Sequence, residues 1–108
     1  METVSYDEWR KLDLRVAEIL KAEPHPDADK LLVLRLQIGK EERTVVAGIK
    51  AYYDLKKLVG KKVVVFTNLQ PRELRGIKSE GMILAAVDGD NVVLLQPEKD
   101  IASGAKIQ

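Results

Sequence analysis

The 108-residue chain has no cysteine and a single histidine, His25. Thiol catalysis, disulfide staples and a cysteine-ligated zinc site are thereby excluded, and the composition suits a reducing compartment. Aromatic residues make up 5% of the chain: Trp9, Phe66 and tyrosines at 6, 52 and 53. Binders of single-stranded nucleic acid stack bases on exposed aromatic platforms. Tyr6, Trp9 and Phe66 read as core anchors, which leaves Tyr52 and Tyr53 and makes single-strand binding the weaker role. Apolar runs reach only about five residues, against the roughly 20 that span a bilayer, and the N-terminus lacks the apolar centre of a signal peptide. The expectation is a soluble, unexported, cytoplasmic chain. Charge of one sign is not in excess either, since 18 Lys and Arg stand against 17 Asp and Glu. Any nucleic-acid site must therefore be local.

What is present is a dense β pattern. Ser5 and Glu8 are spaced as a capping box, which predicts a short helix of about two turns ending near Lys11. From Leu12 the pattern alternates, with Leu12, Leu14 and Val16 on one face and Asp13, Arg15 and Ala17 on the other, running through Ile19 and Leu20. The segment EPHPDAD is too rich in turn formers to continue a strand. Leu32, Leu34, Leu36 and Ile38 alternate over a second strand, and Gly39 and Lys40 turn into a third over residues 43–47. Tyr52, Leu55, Leu58 and Val59 recur at helical spacing over 51–59, with Gly60 placed as the cap. Further strands are predicted over 62–67, 82–87 and 92–95, with a last short one near 105–107. A helix between the third and fourth strands of a small five-stranded all-β domain points to an OB-type Greek-key barrel. The chain reads as one domain over 1–108: an N-terminal helix to residue 11, the barrel over 12–87, and a C-terminal β extension over 88–108.

The most informative stretch is NLQPRELRGIKSEGM, residues 68–82, between two apolar strands. Arg72, Arg75 and Lys78 recur at three-residue spacing among the uncharged donors and acceptors Asn68, Gln70 and Ser79. Such a mixture suits phosphate contacts. Pro71, Gly76 and Gly81 imply a loop of defined shape rather than a slack connection. From Lys61 to Glu80 five cations face two anions, a local balance of +3. Double-helical RNA hides its base edges in a narrow groove, so a protein binding it relies on phosphates, 2′-hydroxyls and shape. Met82 fits either a core position or this surface.

Other chemistry is poorly supported. His25 with Asp27 and Asp29 suggests a turn rather than a metal site, because no second nitrogen or sulfur ligand accompanies it. Its removal is expected to leave RNA affinity intact. No nucleophile elbow, phosphate-cradling glycine loop or Ser-His-Asp order is present, so neither catalysis nor a cofactor is expected.

With these elements placed, DLRVAEILKAEPHPDADKL (13–31), AGI (47–49) and NLQPRELRGIKSEGMILAA (68–86) together resemble the tRNA-binding domain appended to methionyl-tRNA synthetases and found in free-standing tRNA-binding proteins. That family usually has Ser where this chain has Ala47. The resemblance implies an OB barrel without catalysis of its own. Such a barrel binds the outside corner of tRNA by shape and backbone and raises the affinity of a synthetase, joined in cis or in trans, for tRNA. Carried over by position, it implies RNA contacts at Asn68, Arg72, Arg75, Lys78, Ser79 and Met82, with Lys30 beside them.

A second class of function is a structural dimerisation or docking domain. Val92, Val93, Leu94 and Leu95 are apolar on both strand faces, whereas a solvent-facing antiparallel strand alternates. They are the expected interface of a homodimer, the state that free-standing members of the resembled family adopt.

Overall fold

The computed structural model describes residues 1–108. A five-stranded antiparallel sheet carries the core: β1 (Leu14–Pro24), β2 (Leu32–Ile38), β3 (Glu41–Ala47), β4 (Lys62–Phe66) and β7 (Met82–Ile83), in the order β3-β2-β1-β4-β7. The sheet curls into a half-barrel of the expected OB type. β1 is shared: its first half pairs with β4 and its second half with β2, with a register shift between Ile19 and Lys21 where it changes partner. The alternation of β2 is realised, since Leu32, Leu34 and Leu36 are fully buried and meet Ile19, Val63 and Val65 in the barrel interior.

On β1 the interior is lined by Ala17 and Ile19, while Leu14 and Val16 are buried on the opposite face. Lys62, which pairs with Glu18 on that outer face, bonds Asp100 at 2.8 Å and the carbonyl of Ile101. The chain after β9 (Asn91–Leu94) thus runs back over the barrel, and its end then pairs with the free edge of β1 through Gly104 N to Val16 O, Val16 N to Ala105 O and Ile107 N to Leu14 O. Where it arrives, Gly104 lies on Gly39 in the β2–β3 turn: a Cβ on Gly104 would sit 2.8 Å from Gly39 Cα.

Three expectations need correction. The capping box of α1 (Tyr6–Trp9) forms with both of its bonds, but the helix is a single turn with no buried residue; Tyr6 is 71% exposed with Arg10 over its ring, and Trp9 sits at the surface. One turn cannot present a two-residue face to a core. The helix predicted over 51–59 is confined to α2 (Leu55–Leu58), because Asp54 bonds Lys56 N as its cap; Leu58 is buried, whereas Val59 and Tyr52 are exposed. The strand predicted over 82–87 is split at Leu84: β7 stays in the barrel, and β8 (Ala85–Asp88) leaves to form a separate ribbon with β9.

That ribbon decides the fate of the C-terminal apolar run. Leu94 is buried in the barrel core with Val92 packed against it, so these two are not free for a partner. Tyr53 clamps the ribbon, its hydroxyl accepting from Leu94 N at 2.9 Å. Val93 and Leu95 are exposed on the other face, beside Ala86, the cross-strand partner of Val93, and Leu84, whose carbonyl accepts from Leu95 N.

Candidate nucleic-acid interface

The stretch between β4 and β7 is a built structure. β5 (Arg72–Leu74) and β6 (Ile77–Ser79) pair as a hairpin, with Arg72 opposite Ser79, Glu73 opposite Lys78 and Leu74 opposite Ile77. Its two-residue turn has Arg75 at φ 51° and Gly76 at φ 89°. Both central residues of such a turn need positive φ to match strand twist, which suits Gly76 and strains Arg75. Arg75 is the only non-glycine residue of the chain in that region. A side chain held there costs on the order of 1–3 kcal/mol, an expense found mostly at functional positions.

The hairpin is fastened at both ends. At its base, Ser79 accepts from Val46 N at 2.9 Å and donates to Gly81 O, while Glu80 N bonds Thr44 O. Arg43 on β3 donates to the carbonyls of Thr67 and Glu80, clasping the two ends of the stretch together. Near the tip, the His25 ring is 3.0 Å from the Leu74 carbonyl. At the start, Asn68 takes the amide of Asp13 on its Oδ1 and donates through Nδ2 to Lys11 O, both at 2.7 Å.

These contacts sort the predicted RNA residues. Arg72, Arg75 and Lys78 are exposed and none takes part in an ion pair, although Lys78 lies opposite Glu73. They do not share a face. By strand alternation, Arg72 lies on the face of Ser79 and Leu74, Lys78 on the other, and Arg75 at the tip. Lys30 is exposed at the end of the turn that His25 ties to the hairpin. Met82, 43% exposed, is no core filler and lines a groove of about 210 Å³ with Leu69, Leu74, Ile49 and Arg72. Two of the predicted RNA residues are tied into the fold. Ser79 is 5% exposed with its hydroxyl accepting one bond and donating another, so it holds the hairpin. Asn68 is at the surface, but both of its amide atoms are committed to the N-terminal segment. Arg43, His25 and Thr67 carry the supporting bonds that sequence reasoning missed, because no local motif announces a contact across the barrel.

One carboxylate in this support is electrostatically marked. The Thr67 hydroxyl, 2.7 Å from Asp13 Oδ2, holds the Asp13 carboxyl below its ordinary 3.8; partial burial opposes this and Arg15 reinforces it. A carboxyl lowered on folding adds stability that is present above its ordinary value and disappears as pH falls through the lowered one. Thr67→Val removes the leading cause, so its stability deficit relative to wild type should be steady at neutral pH and shrink below pH 3.8. Urea unfolding from neutral pH to about pH 2 checks this, and a deficit independent of pH contradicts it.

Residues 14–106 match the family described as "Putative tRNA binding domain". The chain is 49% identical over 108 residues to a methionine-tRNA ligase of Pyrococcus horikoshii and 50% identical over 107 residues to that of Methanococcus aeolicus. It spans all or nearly all of its own length in these matches but only 15% and 16% of theirs. Among solved structures, a MetRS related protein from Pyrococcus horikoshii superposes with a TM-score of 0.94 at 34% identity, covering 100% of both chains. The chaperone CsaA from Bacillus anthracis gives 0.89 at 29%, covering 99% of this chain and 100% of that one. No helix is long and apolar enough to cross a membrane. A family match over residues 14–106, together with a full-length structural counterpart, means that the chain belongs to the tRNA-binding domain family.

Proposed function

We propose that the chain is a non-catalytic module that binds tRNA through the β5–β6 hairpin and serves a methionyl-tRNA synthetase, in cis or in trans, by raising its affinity for tRNA. The observation that carries this is a strained, doubly anchored hairpin displaying three exposed cations with no ionic partner. Unpaired cations on a rigid support retain their charge for phosphates and need little ordering on binding. Arg75 at the tip and Arg72 and Lys78 on opposite faces would straddle a backbone, with Lys30 adding a fourth charge from the adjoining turn and Met82 contacting the ribose edge. Contacts of this kind follow the shape of folded RNA and are indifferent to base identity. The test is titration of labelled tRNA beside an unstructured RNA of the same length. The folded tRNA should bind more tightly with little difference among acceptors, and equal binding to the unstructured RNA overturns the proposal.

We also propose that the module acts as a homodimer joined through the outer face of the β8–β9 ribbon, where Val93 is 55% and Leu95 42% exposed beside Ala86. A ribbon edge with an apolar outer face is self-complementary across a two-fold axis. The half-buried Val92 and the buried Leu94 would support this interface from behind. Val93→Glu or Leu95→Glu should shift the mass found by light scattering from dimer to monomer. Wild-type protein that scatters as a monomer well above micromolar concentration excludes the dimer.

A further inference from the structure

We infer that His25 is a positioning residue for RNA binding, a latch that joins the HPDAD turn to the tip of the β5–β6 hairpin; the inference deepens the tRNA-binding reading and rests on it. His25 is 4% exposed, and both ring nitrogens are engaged. The backbone N–H of Asp27 donates to Nδ1 at 3.0 Å, so Nδ1 presents its lone pair and the ring proton is on Nε2. Nε2 then donates to the Leu74 carbonyl, also at 3.0 Å. The ring thus closes a turn within its own segment with one nitrogen and grips another segment 49 residues away with the other.

The gripped carbonyl belongs to the residue immediately before the strained Arg75. The remaining outside anchors of the hairpin, at Ser79 and Glu80, lie at its base. No other hydrogen bond joins residues 72–78 to a segment outside the hairpin. A two-stranded ribbon is only marginally stable alone in water. Without the latch, Arg75 and Lys78 would sample many positions, and tRNA would have to order them again on binding. The same bond holds the turn bearing Lys30 against the hairpin, so one imidazole sets the spacing of cations from two segments. This reverses the sequence expectation that His25 is dispensable for RNA affinity.

Two substitutions separate the nitrogens. The Gln Nε2 can reach the place of the histidine Nε2, so His25→Gln retains a donor to Leu74 and loses the acceptor for Asp27. The Asn Oδ1 can replace Nδ1, so His25→Asn retains the local Asx turn and loses the grip on Leu74. Amide hydrogen exchange of the free protein and titration with labelled tRNA should be measured for both, with thermal unfolding as the control for folding. For His25→Asn, the Leu74 and Ile77 amides, which pair across the hairpin next to its turn, should lose protection and tRNA affinity should fall roughly tenfold. His25→Gln should remain close to wild type in both. Unchanged hairpin protection in His25→Asn, or equal loss in the two variants, overturns the latch. The exchange experiment reads the latch without RNA, so a wild-type protein that fails to bind tRNA counts against the proposed function and leaves the latch decided by exchange alone.

Discussion

Replacing Arg72, Arg75 and Lys78 together by alanine is expected to lower tRNA affinity on the order of a hundredfold. A unit charge about 4 Å from a phosphate in water contributes ~1 kcal/mol, and three such contacts sum to ~3 kcal/mol, which corresponds to about two powers of ten. Each single replacement should also flatten the dependence of affinity on salt by about one unit of slope, since one counterion fewer is released. Thermal unfolding should hardly move, because all three side chains are exposed and none makes an ion pair that folding could lose. Arg75→Ala retains a non-glycine residue at φ 51°, so its backbone strain is unchanged and its effect reports on the guanidinium. A triple variant that binds like wild type removes the hairpin from the account.

The largest expected loss of stability lies far from the cations. Gly104→Ala should cost about 2–4 kcal/mol, a large share of the 5–15 kcal/mol that usually holds a domain together. A Cβ there meets Gly39 Cα at 2.8 Å and Gly39 N at 2.9 Å, both backbone atoms, and φ is +91°. No flexible side chain can move aside. Relief requires the C-terminal segment to release β1, which forfeits the bonds to Val16 and Leu14 and uncovers the outer face that Lys62 helps to close. The midpoint of urea denaturation measures this, and a midpoint equal to that of wild type would show that residues 104–108 do not contribute to the folded barrel.

The sequence was most legible where a pattern is local. The leucines of β2 alternate over seven residues with one face inward, and nothing but a half-buried strand satisfies that spacing. Ser5 and Glu8 form their capping box because both partners lie within one turn. Tertiary contacts set the remaining outcomes, and these leave no local pattern. Leu84 divides one apolar run between two sheets, a choice made by the pairing of Ala85 with Leu94 and not by any residue within 82–87. Ser79 and Arg72 look alike as donors in sequence, yet their cross-strand pairing leaves one buried against Val46 and the other at the surface. His25 closes a turn, as its neighbours Pro24, Pro26 and Asp27 suggest, while its bond to a carbonyl 49 residues away leaves no local trace in the sequence.

If tRNA is held by a small set of phosphate contacts on a preformed hairpin, wild-type affinity must depend on salt in proportion to their number. Three to five contacts, from Arg72, Arg75, Lys78 and neighbours such as Lys30, should give a slope of log affinity against log salt between about −2 and −5. Affinity for folded tRNA that does not change with salt would contradict the account.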